Sequence, residues 1–308
     1  MNHEQVREVA AKFSLPILQS GAFTPKINEA YNFTADLLRE MIGFFMMGRT
    51  AMKLVGYKGC GKSTIVEQFH AAMGYALLTI SCTPRTEAQD LIGRMLPTPN
   101  GLQYVYGPLV MAAKNGCSVM LDEYNVLDPG EATGLNQLLQ GGSIYIPETG
   151  EVITPAPGFR VFATCNPADR SLGLLGRNEQ DSANDDRFWV IWVDYIKAED
   201  EIPLVEAVLA KSGVFKDDIP RVYAEKMVEV ANKIRKNYMG ESNDGSALEI
   251  TISTRGMLAW AQGICVFKKA ESPLQYSLDR AVLGSLPRSS STRDAISQYL
   301  KDVFGTQV

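Results

Sequence analysis

Between about residues 50 and 195, short apolar runs alternate with stretches of helical spacing. AMKLVG (Ala51–Gly56) runs into a glycine-rich loop, and TIVEQFHAAMG (Thr64–Gly74) follows with apolar positions at helical intervals. ALLTISC (Ala76–Cys82), SVMLDE (Ser118–Glu123), FRVFATCN (Phe159–Asn166) and FWVIWVDY (Phe188–Tyr195) come next. These runs are short, rich in β-branched or aromatic residues and apolar on both faces, which is how buried parallel strands read. Strands separated by helices imply βαβ units and a three-layer α/β domain with a parallel sheet.

The pattern changes after Asp194. Ala198–Gly213, Ile219–Gly240 and Thr254–Ala270 carry helical spacing, and a last helix is expected over Asp294–Val303. Polar breaks fall at Gly240–Leu248 and Leu286–Asp294. The expected organisation is a helical lead-in over 1–50, an α/β core over 51–197 and an all-α domain over 198–308. Two segments in the core read as hairpins, 93–107 around PTPNG and 143–155 around Glu148-Thr149-Gly150.

Apolar residues make up 45% of the chain and charged residues 21%, so a core is expected and extended disorder is not. The net charge of −5 argues weakly against a large nucleic-acid or anionic-membrane surface. The first residues carry spread charges and no apolar signal core, and Met41–Gly48 is too short to span a bilayer. Five cysteines without C-x-x-C spacing point to a reduced, cytoplasmic protein, and two histidines make a histidine metal site improbable. Trp189, Trp192 and the Met41–Met47 cluster read as core, and AEDE (Ala198–Glu201) and KDD (Lys216–Asp218) as solvated helix starts.

Chemistry enters with GYKGCGKST, residues Gly56, Tyr57, Lys58, Gly59, Cys60, Gly61, Lys62, Ser63 and Thr64. The spacing matches G-x-x-x-x-G-K-[ST], in which backbone N–H groups and a helix N-terminus cradle phosphates. Lys62 would reach the β and γ oxygens of ATP, and Ser63 would ligate Mg²⁺. In VMLDEYN, Asp122 at a strand end can hold Mg²⁺ through water, and Glu123 can polarise a water for attack on the γ-phosphate. Asn166, closing ATCNP, can orient the same water, although Asn-Pro is also a plain turn signal. Arg187 precedes the last strand, where it suits either transition-state charge or a surface pair with Asp185 or Asp186. Arg255 opens a helix in the second domain, from which it can touch nucleotide.

In order and spacing, over about residues 25 to 285, these motifs resemble an AAA+ ATPase, a P-loop NTPase core followed by a helical lid. The resemblance implies Walker A at Gly56–Ser63, Walker B at Val119–Glu123, sensor 1 at Asn166, an arginine finger at Arg187 acting in trans and sensor 2 at Arg255. The pattern is most similar to the MoxR branch, with the aerobic cobaltochelatase ATPase subunit and the Rubisco- and nitric-oxide-reductase-activating relatives. Tyr124-Asn125 departs from the Tyr-Asp of the chelatase-like pattern. The segment Asp169–Asn184 has its own composition and leaves Arg177 as a rival finger. For the branch, the resemblance implies ATP hydrolysis with Mg²⁺, a homo-oligomeric ring (a hexamer), pore-directed hairpins, a protein client and a von Willebrand A-domain partner.

Two other readings stand beside it. A nucleic-acid motor of the same fold would want Lys or Arg at the hairpin tips. The second hairpin instead carries Glu148 and Glu151, while Tyr104 and Tyr106 on the first keep base stacking open. A small-molecule kinase would have no use for Glu123, Asn166 and Arg187 together.

Overall fold

A computed structural model describes residues 1–99, 101–167, 185–214, 219–240 and 248–305. Arg177 and Lys216–Asp218 lie outside the described residues. The chain divides into two compact units, an α/β unit up to Val193 and a helical unit from Asp194 onward, with Tyr57–Cys60 grouped with the latter.

In the α/β unit, β1 (Ala51–Val55), β2 (Leu77–Ser81), β5 (Ser118–Asp122), β8 (Arg160–Cys165) and β9 (Trp189–Trp192) form one sheet in the order β2-β5-β8-β1-β9. All of its pairings are parallel. Parallel strands need crossovers, and α3 (Lys62–Met73) and α5 (Pro108–Asn115) lie in two of them. The three central strands are almost wholly buried, as their two-sided apolar character requires. One core contains Leu109, Val119, Leu121, Leu138, Val161 and Phe188. Elsewhere in the unit Phe44, Phe45, Phe69 and Phe162 are in edge-on or tilted ring contact.

The N-terminal segment holds α1 (His3–Lys12) and α2 (Ala35–Met47). His3 Nε2 meets Gln68 Oε1 of α3 at 2.9 Å. α3 stops at Gly74, where φ is +74° and a Cβ would lie 2.0 Å from the Leu18 carbonyl oxygen, so only glycine fits.

Three side chains read as core are not. Trp192 is 50% exposed because β9 is an edge strand, and Met46 and Met47 lie on the open side of α2 while Met41 is buried. Amphipathic periodicity buries one stripe of a helix, and the end of the methionine cluster falls outside it.

Two antiparallel pairs stand apart from the main sheet. β3 (Gly93–Thr98) pairs with β4 (Gly101–Tyr106), between α4 (Ala88–Ile92) and α5. β6 (Ile144–Ile146) pairs with β7 (Glu151–Ile153) and follows α6 (Pro129–Thr133) and α7 (Asn136–Leu139).

The helical unit holds α8 (Ala198–Lys211), α9 (Ile219–Tyr238), α10 (Thr254–Val266), α11 (Pro273–Ala281) and α12 (Ser291–Phe304). Its core gathers Val205, Leu209, Met227, Ile234, Trp260, Leu278 and Ile296. The AEDE segment is not solvated throughout. Glu201 is fully buried, and its carboxylate accepts from both terminal nitrogens of Arg235, at 2.6 and 2.8 Å. Thr254 Oγ1 donates to the same carboxylate at 3.0 Å. A buried acid survives only when paired, and the partner lies 34 residues away, beyond any local pattern. No helix among the described residues is long and apolar enough to cross a membrane.

Candidate functional site

Three adjacent parallel strands, β5, β8 and β1, deliver the sequence motifs to one carboxyl edge of the sheet. β1 ends at Val55, β5 at Asp122 and β8 at Cys165, so Gly56, Glu123 and Asn166 emerge side by side. Crevices at this edge are where open α/β sheets bind ligands.

Hydrogen bonds join the motifs. Lys62, at the start of α3 and only 8% exposed, donates through Nζ to the Gly56 carbonyl at 2.8 Å and to Asn166 Oδ1 at 3.0 Å. Ser63 Oγ donates to Asp122 Oδ1 at 2.6 Å. The Gly56 N–H donates to the Cys165 carbonyl, which ties the loop to the end of β8. Gly61 caps α3 at φ +95°, a left-handed conformation that glycine adopts without strain. Within the helical unit's group, Tyr57 has ring contacts with Tyr195 and Tyr238, and the Tyr195 hydroxyl donates to the Lys58 carbonyl at 3.1 Å. Cys60 is buried and small.

Glu123 is exposed, with φ at +57°, one of two non-glycine residues with positive φ among the described residues. Such strain costs about 1–3 kcal/mol and persists only where neighbours enforce it. Here the Glu123 N–H donates to Thr164 Oγ1 at 3.0 Å, while that hydroxyl donates to Asp122 Oδ1. Thr164 therefore holds the Asp122 carboxylate and the backbone at Glu123. Sequence reading passed over it as a strand residue, although its place one strand across from the acidic pair follows once β5 and β8 are neighbours. Asn125, noticed only as a departure, is also buried and donates to the Asn166 carbonyl at 2.9 Å.

Arg187 is half-buried just before β9. Its charge acts on the Tyr124 phenol, though burial is the larger influence and pushes that phenol's pKa far up. Asp185, one suggested partner for Arg187, accepts from the buried Lys53 of β1 at 2.5 Å. Arg255 is exposed at the second position of α10, whose N-cap Ser253 accepts from the Gly256 N–H.

Ser63 and Asp122 present a hydroxyl and a carboxylate oxygen together, and no group of three or more His, Cys, Asp or Glu side chains among the described residues is arranged to hold a metal ion. Few protein ligands, all hard oxygens, suit Mg²⁺, which keeps waters and takes further oxygens from substrate phosphates.

The hairpin faces differ from expectation. Period-two alternation turns Tyr104 and Tyr106 toward the core, so neither is a free stacking platform. Val105 faces outward instead, at 44% exposure, and Leu102, on the face of Tyr104 but near the hairpin tip, is 65% exposed; Tyr145 and Val152 on the second hairpin are exposed as well. Glu151 accepts from the Tyr106 hydroxyl and from Lys114 Nζ, and these bonds hold its carboxyl below the usual range. Both hairpins and α5 are thus linked through one carboxylate.

The AAA domain of the dynein-related subfamily matches residues 51–188, and the CbbQ/NirQ/NorQ C-terminal region matches residues 206–303. Midasin of Giardia intestinalis is 36% identical over 183 residues, covering 54% of this chain and 4% of that one. The aerobic cobaltochelatase subunit CobS of Sinorhizobium sp is 27% identical over 255 residues, 80% of this chain and 74% of that one. Midasin of Dictyostelium discoideum is 30% identical over 83% of this chain, again spanning 4% of the relative. The chain therefore corresponds to a small part of the midasins and to most of the cobaltochelatase subunit. The chain thus joins an AAA domain of the dynein-related subfamily to a CbbQ/NirQ/NorQ C-terminal region.

Proposed function

We propose that the protein binds ATP at Gly56–Thr64 and hydrolyses it to ADP and phosphate, spending the free energy on remodelling a partner protein. The observation that carries this reading is the hydrogen-bonded set Lys62, Ser63, Asp122 and Asn166 at adjacent strand ends. Lys62 is already held at the phosphate loop, so binding exchanges its protein acceptors for phosphate oxygens. Mg²⁺ held by Ser63 and Asp122 would neutralise charge on the β and γ oxygens. Glu123, exposed at the end of β5, takes the proton of the attacking water, and Asn166 orients that water. Arg187 acts as the finger on a neighbouring subunit's nucleotide, and Arg255 couples the helical lid to the same site. The active form is a homo-oligomeric ring, a hexamer, with a von Willebrand A-domain protein as partner. Exposed Leu102, Val105, Tyr145 and Val152 favour polypeptide over a phosphate backbone, because cationic contacts dominate non-specific nucleic-acid binding.

Glu123→Gln tests the chemistry. It keeps the size of the side chain and removes the base, so nucleotide affinity should stay within about twofold while turnover falls at least about a hundredfold. Normal turnover by this variant would remove Glu123 from the mechanism. Stimulation of turnover by single-stranded DNA, weakening steeply with salt, would replace the protein client with a nucleic acid.

A further inference from the structure

Asn125 lies in the 3₁₀ turn Tyr124–Val126 and is 4% exposed. Its Nδ2 donates at 2.9 Å to the carbonyl of Asn166, the residue that follows β8. Its Oδ1 has no partner among the described residues. The side chain therefore serves as a donor only, and the acceptor half contributes nothing at this site.

The clamped segment is the one on which the phosphate loop leans. The Cys165 carbonyl receives the Gly56 N–H, and Asn166 Oδ1 shares the Lys62 ammonium with the Gly56 carbonyl. We infer that Asn125 is a positioning residue that holds the backbone at Asn166 so that the Asn166 amide stays aimed at Lys62 and the phosphate it binds. A carboxylate of the same shape could not do this. Lacking a donor, it would set an acceptor oxygen against the Asn166 carbonyl, so the departure from Tyr-Asp to Tyr124-Asn125 is not neutral.

The inference rests on the ATPase reading and is tested with the wild type, Asn125→Asp, Asn125→Ala, Asn166→Ala and the double variant Asn125→Asp/Asn166→Ala. Steady-state turnover, affinity for a fluorescent ATP analogue and melting temperature are measured on each. Asn125→Asp should lower kcat about tenfold while analogue affinity stays within about twofold, as expected of a group acting through another. Asn125→Ala, without added charge, should show the same split. If Asn125 works through Asn166, the double variant should turn over no more slowly than Asn166→Ala alone. Wild-type kcat in Asn125→Asp, a further additive fall in the double variant, or a loss that merely follows affinity or melting temperature would each overturn the inference. Absence of turnover in the wild type would remove the ATPase reading and this inference with it. Wild-type turnover with an unaffected Asn125→Asp would remove the inference alone.

Discussion

Thr164 accepts the Glu123 N–H and donates to Asp122, so one hydroxyl holds the Asp122 carboxylate and the backbone at Glu123. Thr164→Val keeps the shape but removes the acceptor of the part-buried Glu123 N–H and the donor to Asp122. Turnover should fall about tenfold or more, while Thr164→Ser, which retains the hydroxyl, stays near the wild type. Steady-state ATPase assays on the two variants decide this, and equal activities would show that Thr164 has no hold on the acids. The chemical residues Lys62, Ser63, Asp122, Glu123 and Asn166 were legible because short motifs carry them. Thr164 and Asn125 were not, because their partners lie 41 residues away and the sequence does not state which strands are neighbours. The surroundings of His70 likewise depend on which elements pack together. It is fully buried among Phe45, Phe69, Tyr75 and Phe162, its Nε2 has no partner among the described residues, and burial lowers its pKa to about 4. With the folded pKa below the unfolded value of 6.5, the unfolded chain takes up the proton first. His70 then has no effect on stability above about pH 6.5, and the fold weakens as pH falls from there toward 4, by about 2 kcal/mol at pH 5. Urea midpoints at pH 7.5 and 5.0 measure the loss, and His70→Phe should flatten it if this imidazole is the source.

At the scale of elements, strand type was legible from two-sided apolar runs, and the helical character beyond Asp194 from period alone. Strand order was not, because β2 pairs with β5 and β1 lies between β8 and β9, an arrangement that depends on crossovers. The hairpins show how far alternation carries: it places β3 and β4 but leaves open which face turns inward, which depends on Tyr104 and Tyr106 finding the core. In the helical unit, α8 and α9 are joined by Glu201 and Arg235, while Arg235 also donates to the Ile252 carbonyl and lies 4.6 Å from the centre of the Tyr195 ring. Arg235→Met strands a buried carboxylate and should cost about 3–5 kcal/mol, whereas Glu201→Gln with Arg235→Met should recover most of it. Chemical denaturation of the single and double variants measures the difference. A single variant as stable as the wild type would mean that water reaches Glu201.

For the whole molecule, the question is whether one chain contains a complete site. Lys62, Ser63, Asp122, Glu123 and Asn166 gather at one sheet edge, whereas Arg187 is half-buried before β9, where its charge acts on Tyr124. If Arg187 serves a neighbour's nucleotide, a subunit lacking the finger still has an intact binding site, and one lacking Lys62 still has an intact finger. Arg187→Ala and Lys62→Ala should each abolish turnover, the first sparing nucleotide affinity and the second removing it. Mixed in equal amounts, they place some wild-type binding sites beside wild-type fingers. In a ring with random assembly, about a quarter of the interfaces regain both parts, so the mixture should recover up to about a quarter of wild-type turnover if each interface fires independently, and less if firing is coupled around the ring. Recovery should rise with protein concentration, because only assembled subunits share sites. No recovery at any concentration, with both variants shown to assemble, would place the finger in the same chain as its nucleotide.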